Sequence, residues 1–334
     1  MATVAEAQTR AAFRRRHPLL AYAGRRTAIT VLLLVLVSIL IFAATAILPG
    51  NAAAQILGHS GATAAERNAL SRQLGLNRPL LTQYGSWVGG VLRGDLGISL
   101  ASHQPVTSFI AARLGNSIAL ALAAMLLMLP LALVLGTIAG IRRGKASDHA
   151  IASISLGLIA LPEFVSGTVL VVVFGVTLAW FPPTSIIPSG ASPLNDPRLL
   201  VLPSVTLCLA GAAYIIRMLR AGVAEEMAGD YVQAARLNGI PERRIVVRHA
   251  LRNAMGPTVQ VVALTVQWLV GGIVVVETVF SYPGLGQGLV QAVTARDIPV
   301  VQSLTLLIAA FYLMINLAAD ILVILLVPKL RTSL

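Results

Sequence analysis

The chain has 334 residues, of which 57% are hydrophobic and 11% charged, and it carries a formal net charge of +12 at pH 7. A soluble domain averages about 45–50% apolar and about 25% charged residues, so this composition indicates a membrane protein. The arginines flank apolar runs and form no separate basic domain, which favours basic flanks of membrane spans over nucleic-acid binding. The single cysteine, Cys208, lies within an apolar run and excludes an internal disulfide.

Six apolar segments are long enough to cross a bilayer core of about 30 Å, which takes about 20 helical residues. The predicted spans are residues 27–48, 117–140, 150–179, 199–216, 258–280 and 304–327. The first also resembles a signal peptide, because arginines precede it and small residues follow it. Its apolar run is longer than the ~7–15 residues of a signal-peptide core, so we interpret it as a retained span.

The distribution of lysine and arginine predicts the orientation. These residues are concentrated in the N-terminal tail (residues 1–26), the second loop, the 217–257 loop and the C-terminus. By the positive-inside rule all four regions are cytoplasmic. The sequence therefore predicts an all-α integral membrane protein with six transmembrane helices and both termini cytoplasmic, in which residues 27–334 form a single membrane domain.

The 49–116 loop, between the first two spans, is predicted to be an ordered helical cap on the outer face. Thr63 and Glu66 form a capping box, and Gly75 suits the position just past that helix. A second helix is predicted to begin at Pro79.

Two further features predict how the spans are shaped and packed. Gly136 and Gly140 form a small-xxx-small pair suited to close helix contact. Pro162 is expected to kink or interrupt the third span, because proline removes a helical hydrogen bond.

Three acidic residues fall within or at the edge of the spans: Glu163, Glu277 and Asp320. An ionised acid at the centre of a span costs about 2.5–3.5 kcal/mol, so such groups face protein or water. They either line a substrate pathway or pair with a neighbouring helix. Pairing is favoured for Glu277 and Asp320, whereas both roles stay open for Glu163, because interrupted helices normally line cavities. All five histidines fall in loops, which weakens a proton-relay transporter without excluding it.

The 217–257 loop is predicted to hold two helices joined by a firm turn. Gly239 suits the left-handed cap that ends the first helix. Pro241 suits the first turn of the second helix, with Glu242 near its positive end. A merely solvated basic loop is the alternative, but the capped turn and an apolar stripe at helical spacing favour docking on another protein.

Two glycine-rich stretches lack the spacing of nucleotide-binding motifs. Between Gly140 and Gly144 there are three residues where a phosphate loop has four, and Ala146 replaces the Ser or Thr that holds magnesium. The stretch from Gly284 to Gly288 follows a membrane span rather than a strand. No catalytic constellation or metal site is recognisable, so we expect no catalytic residue, metal or cofactor in this chain, and any ATP chemistry to come from a partner.

The 217–257 loop also resembles the EAA loop of ABC importer permeases for dipeptides and oligopeptides, in the first of their two permease types. In that family the loop contacts the ATPase. The matching residues include the stretch Gln233-Ala234-Ala235, where Gln233 replaces the family's glutamate, and Gly239. Asp230-Tyr231-Val232 and the stretch from His249 to Asn253 extend the match in the form typical of peptide permeases.

Further motifs extend this resemblance over nearly the whole chain. They are Leu48-Pro49-Gly50-Asn51, with Asn51 in place of an acid, Leu74 to Pro79, Gly94 to Ser99, Glu277 to Gly286, and Asp320 with the ending at Val327 to Arg331. The N-terminal tail lies outside the match.

The resemblance implies a type I ABC importer permease in the inner membrane of a prokaryote. A second permease subunit would complete a heterodimeric pore, two ATP-binding subunits would hold ATP and magnesium, and an extracytoplasmic protein would deliver substrate. The residues implied in ATPase coupling are Asp230, Tyr231, Val232, Ala234, Ala235, Gly239, Ile240, Pro241, His249 and Asn253. Dipeptides, oligopeptides, nickel chelates, glutathione and haem remain open as substrates. A motor-independent secondary transporter or channel is the alternative class.

Overall fold

The computed structural model describes residues 18–47, 78–188 and 190–326, which are mostly helical. We number the helices in chain order: α1 Pro18–Ile47, α2 Leu80–Leu92, α3 Val106–Ile141, α4 Ala146–Ala160, α5 Glu163–Thr177, α6 Arg198–Met227, α7 Asp230–Leu237, α8 Glu242–Val279, α9 Leu285–Thr294 and α10 Ile298–Leu326. A short 3-10 helix, Pro193–Asn195, precedes α6. Within the described residues the only β-type pairing is one isolated bridge, between Ile98 and Pro105. The all-α prediction is therefore confirmed.

Five helices in the described part of the chain are long and apolar enough to cross a membrane: α1 from Tyr22 onwards, α3, α6, α8 and α10. The α4–α5 pair makes a sixth if it counts as one span. Several helices run beyond the predicted spans, since α3 begins at Val106 rather than at residue 117 and α6 continues to Met227 rather than ending at residue 216. Hydropathy marks only the apolar part of such a helix, whereas the backbone continues its internal hydrogen bonds into the polar flanks.

The third predicted span, residues 150–179, is two helices rather than one. Helix α4 ends at Ala160, and α5 begins at Glu163 after a bend of 107°. Pro162 lies at the N-cap of α5, where its missing N–H leaves no helical hydrogen bond unmade. The predicted interruption at Pro162 is thus confirmed, and the third predicted span takes the form of a bent helix pair.

Close packing of α3 against α6 depends on two glycines. A Cβ atom on Gly140 would lie 2.7 Å from the Cβ of Val223, and one on Gly136 would lie 3.0 Å from the Cβ of Leu219. The approach at Gly140 is closer than side-chain carbons reach, and the one at Gly136 is tighter than an ordinary contact, so glycine at these positions lets the two helices pack closely. The predicted contact role of Gly136 and Gly140 is confirmed, and α6 is the most buried of the candidate spans.

Helix α2 begins at Leu80, directly after Pro79 as predicted. It packs on α1, where the Tyr84 hydroxyl lies 2.8 Å from the Ser38 hydroxyl and the Tyr84 ring lies 5.5 Å from the Phe42 ring. Helix α2 is therefore a helical element within the 49–116 loop, and the residues that follow it, 93–105, are non-helical.

Some predicted features lie outside the described residues. They are the capping box at Thr63 and Glu66, the helix end at Gly75, the motif from Leu48 to Asn51, the first seventeen residues of the tail, and the ending from Val327 to Arg331.

Candidate functional site

The α6–α8 connection (residues 228–241) carries helix α7 at one end of the bundle, with most of its surface exposed. Of the eight residues of α7 only Val232 is buried, while Ala235 is half-buried and Asp230 and Ala234 are exposed. Leu237, at the end of α7, is 89% exposed. Ala234 and Leu237 are three residues apart and therefore share one face of the helix, which gives α7 a small exposed apolar surface.

A rigid turn links α7 to α8. Gly239 has a φ of +74°, the left-handed conformation that glycine adopts without a side-chain clash. The backbone N–H of Ile240 donates to the carbonyl of Ala235 at 3.1 Å and closes the turn. The predicted cap at Gly239 is confirmed, while Pro241 is the N-cap residue just before α8 rather than a residue of its first turn.

An ion pair also bridges this turn. The Arg236 guanidinium donates to both carboxylate oxygens of Glu242, at 2.6 and 3.1 Å. Both side chains are largely in solvent, so the pair orients α7 against α8 more than it adds stability.

The other end of α7 is held by one carboxylate oxygen of Glu226, at the end of α6. The Tyr231 hydroxyl donates to it at 2.6 Å, and the Asn253 side-chain amide donates to the same oxygen at 3.1 Å. Partial burial and the neighbouring Glu226 carboxylate raise the pKa of the Tyr231 phenol above its ordinary value. The phenol therefore stays protonated, and able to donate, at neutral pH. Glu226 thus joins α6, α7 and α8.

The second predicted loop helix is not a separate element. Residues Glu242–Ile245, a π-helical stretch Val246–Ala250 and Leu251–Val279 form the continuous helix α8. Ile245, Val246 and Ala250 are buried, whereas His249 is half-buried and Asn253 is exposed. The predicted 217–257 loop therefore includes the ends of two long helices, and the connection between them is residues 228–241, which carries α7.

Glu277 lies near the far end of α8 and is fully buried. Its carboxylate accepts hydrogen bonds from the Ser117 hydroxyl at 2.5 Å, the Gly286 N–H at 2.7 Å and the Gln287 N–H at 3.1 Å. The last two donors belong to the first turn of α9, where helix amides lack internal partners. We call these four residues the Glu277 cluster. Their contacts support the pairing role for Glu277.

Gly284 is part of the reason that this arrangement forms. A Cβ atom at Gly284 would overlap the Glu277 carboxylate, so only glycine lets the carboxylate reach the start of α9. The sequence showed Gly284 only as part of a motif and gave no sign of its contact with Glu277.

Asp320, on α10, forms an ion pair with Arg26 on α1 at 3.2 Å. The sequence placed Arg26 just outside the first predicted span, whereas α1 begins at Pro18 and carries Arg26 within it. This ion pair supports the pairing role for Asp320.

Glu163 lies in the first turn of α5, directly after the 107° bend. Its side chain is half-buried, and its carboxylate makes no hydrogen bond or ion pair with any other residue that the structure describes. Glu163 therefore remains a candidate for lining a pathway beside the bend.

The sequence did not identify the buried ion pair between Asp148 and Arg220. Asp148 is fully buried in the first turn of α4, and both of its carboxylate oxygens accept from the Arg220 guanidinium on α6, one of them at 2.9 Å from Nη2. The Gly144 N–H also donates to it at 2.9 Å. Glu226 and Leu237 were missed as well. Asp148, Arg220 and Glu226 stand in no motif, and the Asp148–Arg220 contact joins residues 72 apart in the sequence. Leu237 lies within the EAA-like stretch, but the sequence did not single it out.

Comparison with known proteins gives two family matches. Residues 132–332 match the model of the "Binding-protein-dependent transport system inner membrane component" family. Residues 19–121 match the model for the N-terminal part of such membrane components.

Similar proteins cover almost the whole chain. A putative peptide transport system permease protein of Brucella abortus is 36% identical over 307 residues, which are 92% of this chain and 98% of that protein. A putative peptide permease protein of Brucella ovis is 34% identical over 320 residues, which are 94% of this chain and 100% of that protein. The glutathione transport system permease protein GsiC of Escherichia coli is 36% identical over 298 residues, which are 89% of this chain and 94% of that protein.

Proposed function

The chain belongs to the family of binding-protein-dependent transport system inner membrane components, and we propose that it is a permease subunit of an ATP-driven importer of dipeptides or oligopeptides. Its similarity to putative peptide permeases and to a glutathione permease supports a peptide-like substrate. Glutathione is itself a small peptide, so these names favour one chemical class. Nickel chelates and haem are the alternative substrates. Uptake of one or more members of a peptide panel would favour peptides over these alternatives.

In this proposal the chain is a non-catalytic half of a pore in the inner membrane. A second permease subunit completes the pore, two ATP-binding subunits supply ATP and magnesium, and an extracytoplasmic protein delivers the substrate. Both termini and the α6–α8 connection face the cytoplasm, which agrees with the concentration of arginine and lysine in those regions. The remaining surface of the spans contacts lipid and the second permease.

The observation that carries the proposal is the geometry of α7. It combines an exposed apolar face at Ala234 and Leu237 with firm attachment at both ends. An ATP-binding subunit that docks on this face and moves displaces α7. The turn at Gly239 and the Glu226 contacts then carry the displacement into α8 and α6. Rocking of the spans between two access states is the general mechanism of transporters.

The test uses the assembled transporter in proteoliposomes with ATP inside and a panel of peptides outside. Gly239→Asp forces a side chain onto a left-handed residue, which is strained. Ala235→Arg places bulk and charge at the half-buried face of α7. We expect both variants to insert normally but to lose uptake and substrate-stimulated ATP hydrolysis. Normal uptake by Gly239→Asp at wild-type expression would contradict the proposal, and uptake driven by an ion gradient without ATP would favour a secondary transporter.

A further inference from the structure

The Asp148–Arg220 ion pair lies between the bent helix pair α4–α5 and helix α6. We propose that it is the joint through which displacement of the α6–α8 connection reaches the bent pair, so that Asp148 and Arg220 are positioning residues for transport. This inference rests on the function proposed above and names the element that the coupling moves.

The geometry of the pair makes it a rigid link. The two planar groups meet side by side, with Arg220 Nε and Nη2 each donating to a different oxygen of Asp148. Two parallel charge-assisted hydrogen bonds fix the angle between the groups as well as their distance. Asp148 is fully buried and also accepts from the Gly144 backbone. The start of α4 therefore cannot shift relative to α6 without breaking bonds to a buried charge, which is costly.

The ion pair joins the helix that holds α7 to the helix that leads to the bend. Arg220 lies six residues before Glu226 on the same helix, and Glu226 holds α7 through Tyr231. Asp148 lies in the first turn of α4, and α4 leads to the bend at Pro162 and to Glu163. A helix transmits displacement along its axis as a stiff rod. The described contacts thus form a continuous path from α7, through α6 and the ion pair, to the bend.

Packing around the joint supports motion of α3, α4 and α6 as one unit at this end. Gly140 of α3 lets that helix approach Val223 closely, and Val223 lies three residues beyond Arg220 on α6. The short α3–α4 loop holds Gly144, whose amide caps Asp148. The bend at residues 161–162 is the first break in this unit. Helix α5 is therefore the element whose angle to α4 can change.

The chain offers a matched control in a second ion pair between helices. Arg26 and Asp320 join α1 to α10, and no described contact links them to α7. Asp148→Asn and Asp320→Asn make the same chemical change in the two pairs. Asparagine keeps the size of the side chain and removes its charge.

The experiment measures peptide uptake per ATP hydrolysed by the complete transporter in proteoliposomes, with the thermal stability of each complex measured in detergent. We expect Asp148→Asn to lower this ratio roughly tenfold, within the ~5–150-fold span typical of coupling between two sites, and Asp320→Asn to leave it unchanged. Arg220→Lys keeps the charge but loses the paired geometry, so we expect an intermediate fall. If Asp148→Asn fails to assemble, Arg220→Lys carries the test.

A wild-type ratio for Asp148→Asn or for an assembled Arg220→Lys would overturn the inference, and so would an equal fall in Asp320→Asn. A loss of stability with an unchanged ratio would likewise assign the pair a purely structural role. The absence of ATP-driven uptake by the wild-type complex would instead overturn the proposed function, and the inference with it. The two failures are therefore told apart by the wild-type protein alone.

Discussion

The two ends of helix α8 are held in opposite ways. At the Glu277 cluster a fully buried carboxylate gathers three hydrogen bonds from α3 and α9. At the α6–α8 connection the carboxylates of Glu226 and Glu242 make their bonds near or in solvent. Buried polar contacts are costly to break, whereas exposed ones exchange with water at little cost. We infer that contacts at the first end contribute more to the free energy of unfolding than contacts at the second.

The strongest test of this difference is removal of the Glu277 carboxylate. Glu277→Ala leaves three donors without an acceptor, and each buried donor so left costs about 1–3 kcal/mol. We expect a fall in the free energy of unfolding of about 3 kcal/mol or more, seen as a lower Tm of the detergent-solubilised protein. The neighbouring Thr278 is exposed, and its hydroxyl donates to the Val274 carbonyl of its own helix, so Thr278→Ala is the control. Equal Tm values for the two variants would show that the Glu277 contacts do not stabilise the fold in this way.

Removal of the Glu226 carboxylate is expected to have the opposite effect, with little loss of stability but a clear loss of transport coupling. Because its contacts are near the surface, we expect Glu226→Ala to change stability by no more than about 0.5 kcal/mol. Uptake per ATP hydrolysed should nevertheless fall several-fold, because α7 loses its link to α6. A double-mutant cycle of Glu226→Ala and Tyr231→Phe tests whether their contact is responsible. In the Glu226→Ala background, Tyr231→Phe should cause little further fall in uptake per ATP hydrolysed. If the two substitutions lowered uptake per ATP hydrolysed in a fully additive way, the Tyr231–Glu226 hydrogen bond would have no part in coupling.

Glu163, in the first turn of α5, makes no described contact through its carboxylate. Glu163→Gln keeps its shape and removes its charge. If the side chain lines a pathway beside the bend, uptake should fall a few-fold with Tm unchanged. An unchanged uptake rate would instead support a structural role at the start of α5, where an acid stabilises the helix N-terminus.

The elements that the sequence predicted well are those with local causes. Apolar runs of about 20 residues reveal spans, Pro162 breaks a helix through its own missing N–H, and Gly239 caps one through its own left-handed conformation. Gly136 and Gly140 have the small-xxx-small spacing that is typical of close helix packing in membranes.

The elements that the sequence missed have causes far along the chain. Glu277 meets Ser117 across 160 residues, and Asp148 meets Arg220 across 72. Composition shows that such acids need partners but does not choose among the available donors. The extent of α6 was missed for a different reason, because hydropathy ends where charge begins although the helix continues.

In the proposed function, α7 is the docking site of an ATP-binding subunit. A photo-reactive residue at Leu237, in the assembled transporter, tests it directly, and the matched control is Leu194, which is 69% exposed and lies in the predicted outer loop between the third and fourth spans. We predict that irradiation joins position 237, and not position 194, to the ATP-binding subunit. Capture of that subunit from position 194, or from neither position in a transporter that hydrolyses ATP and takes up peptide, would contradict the account.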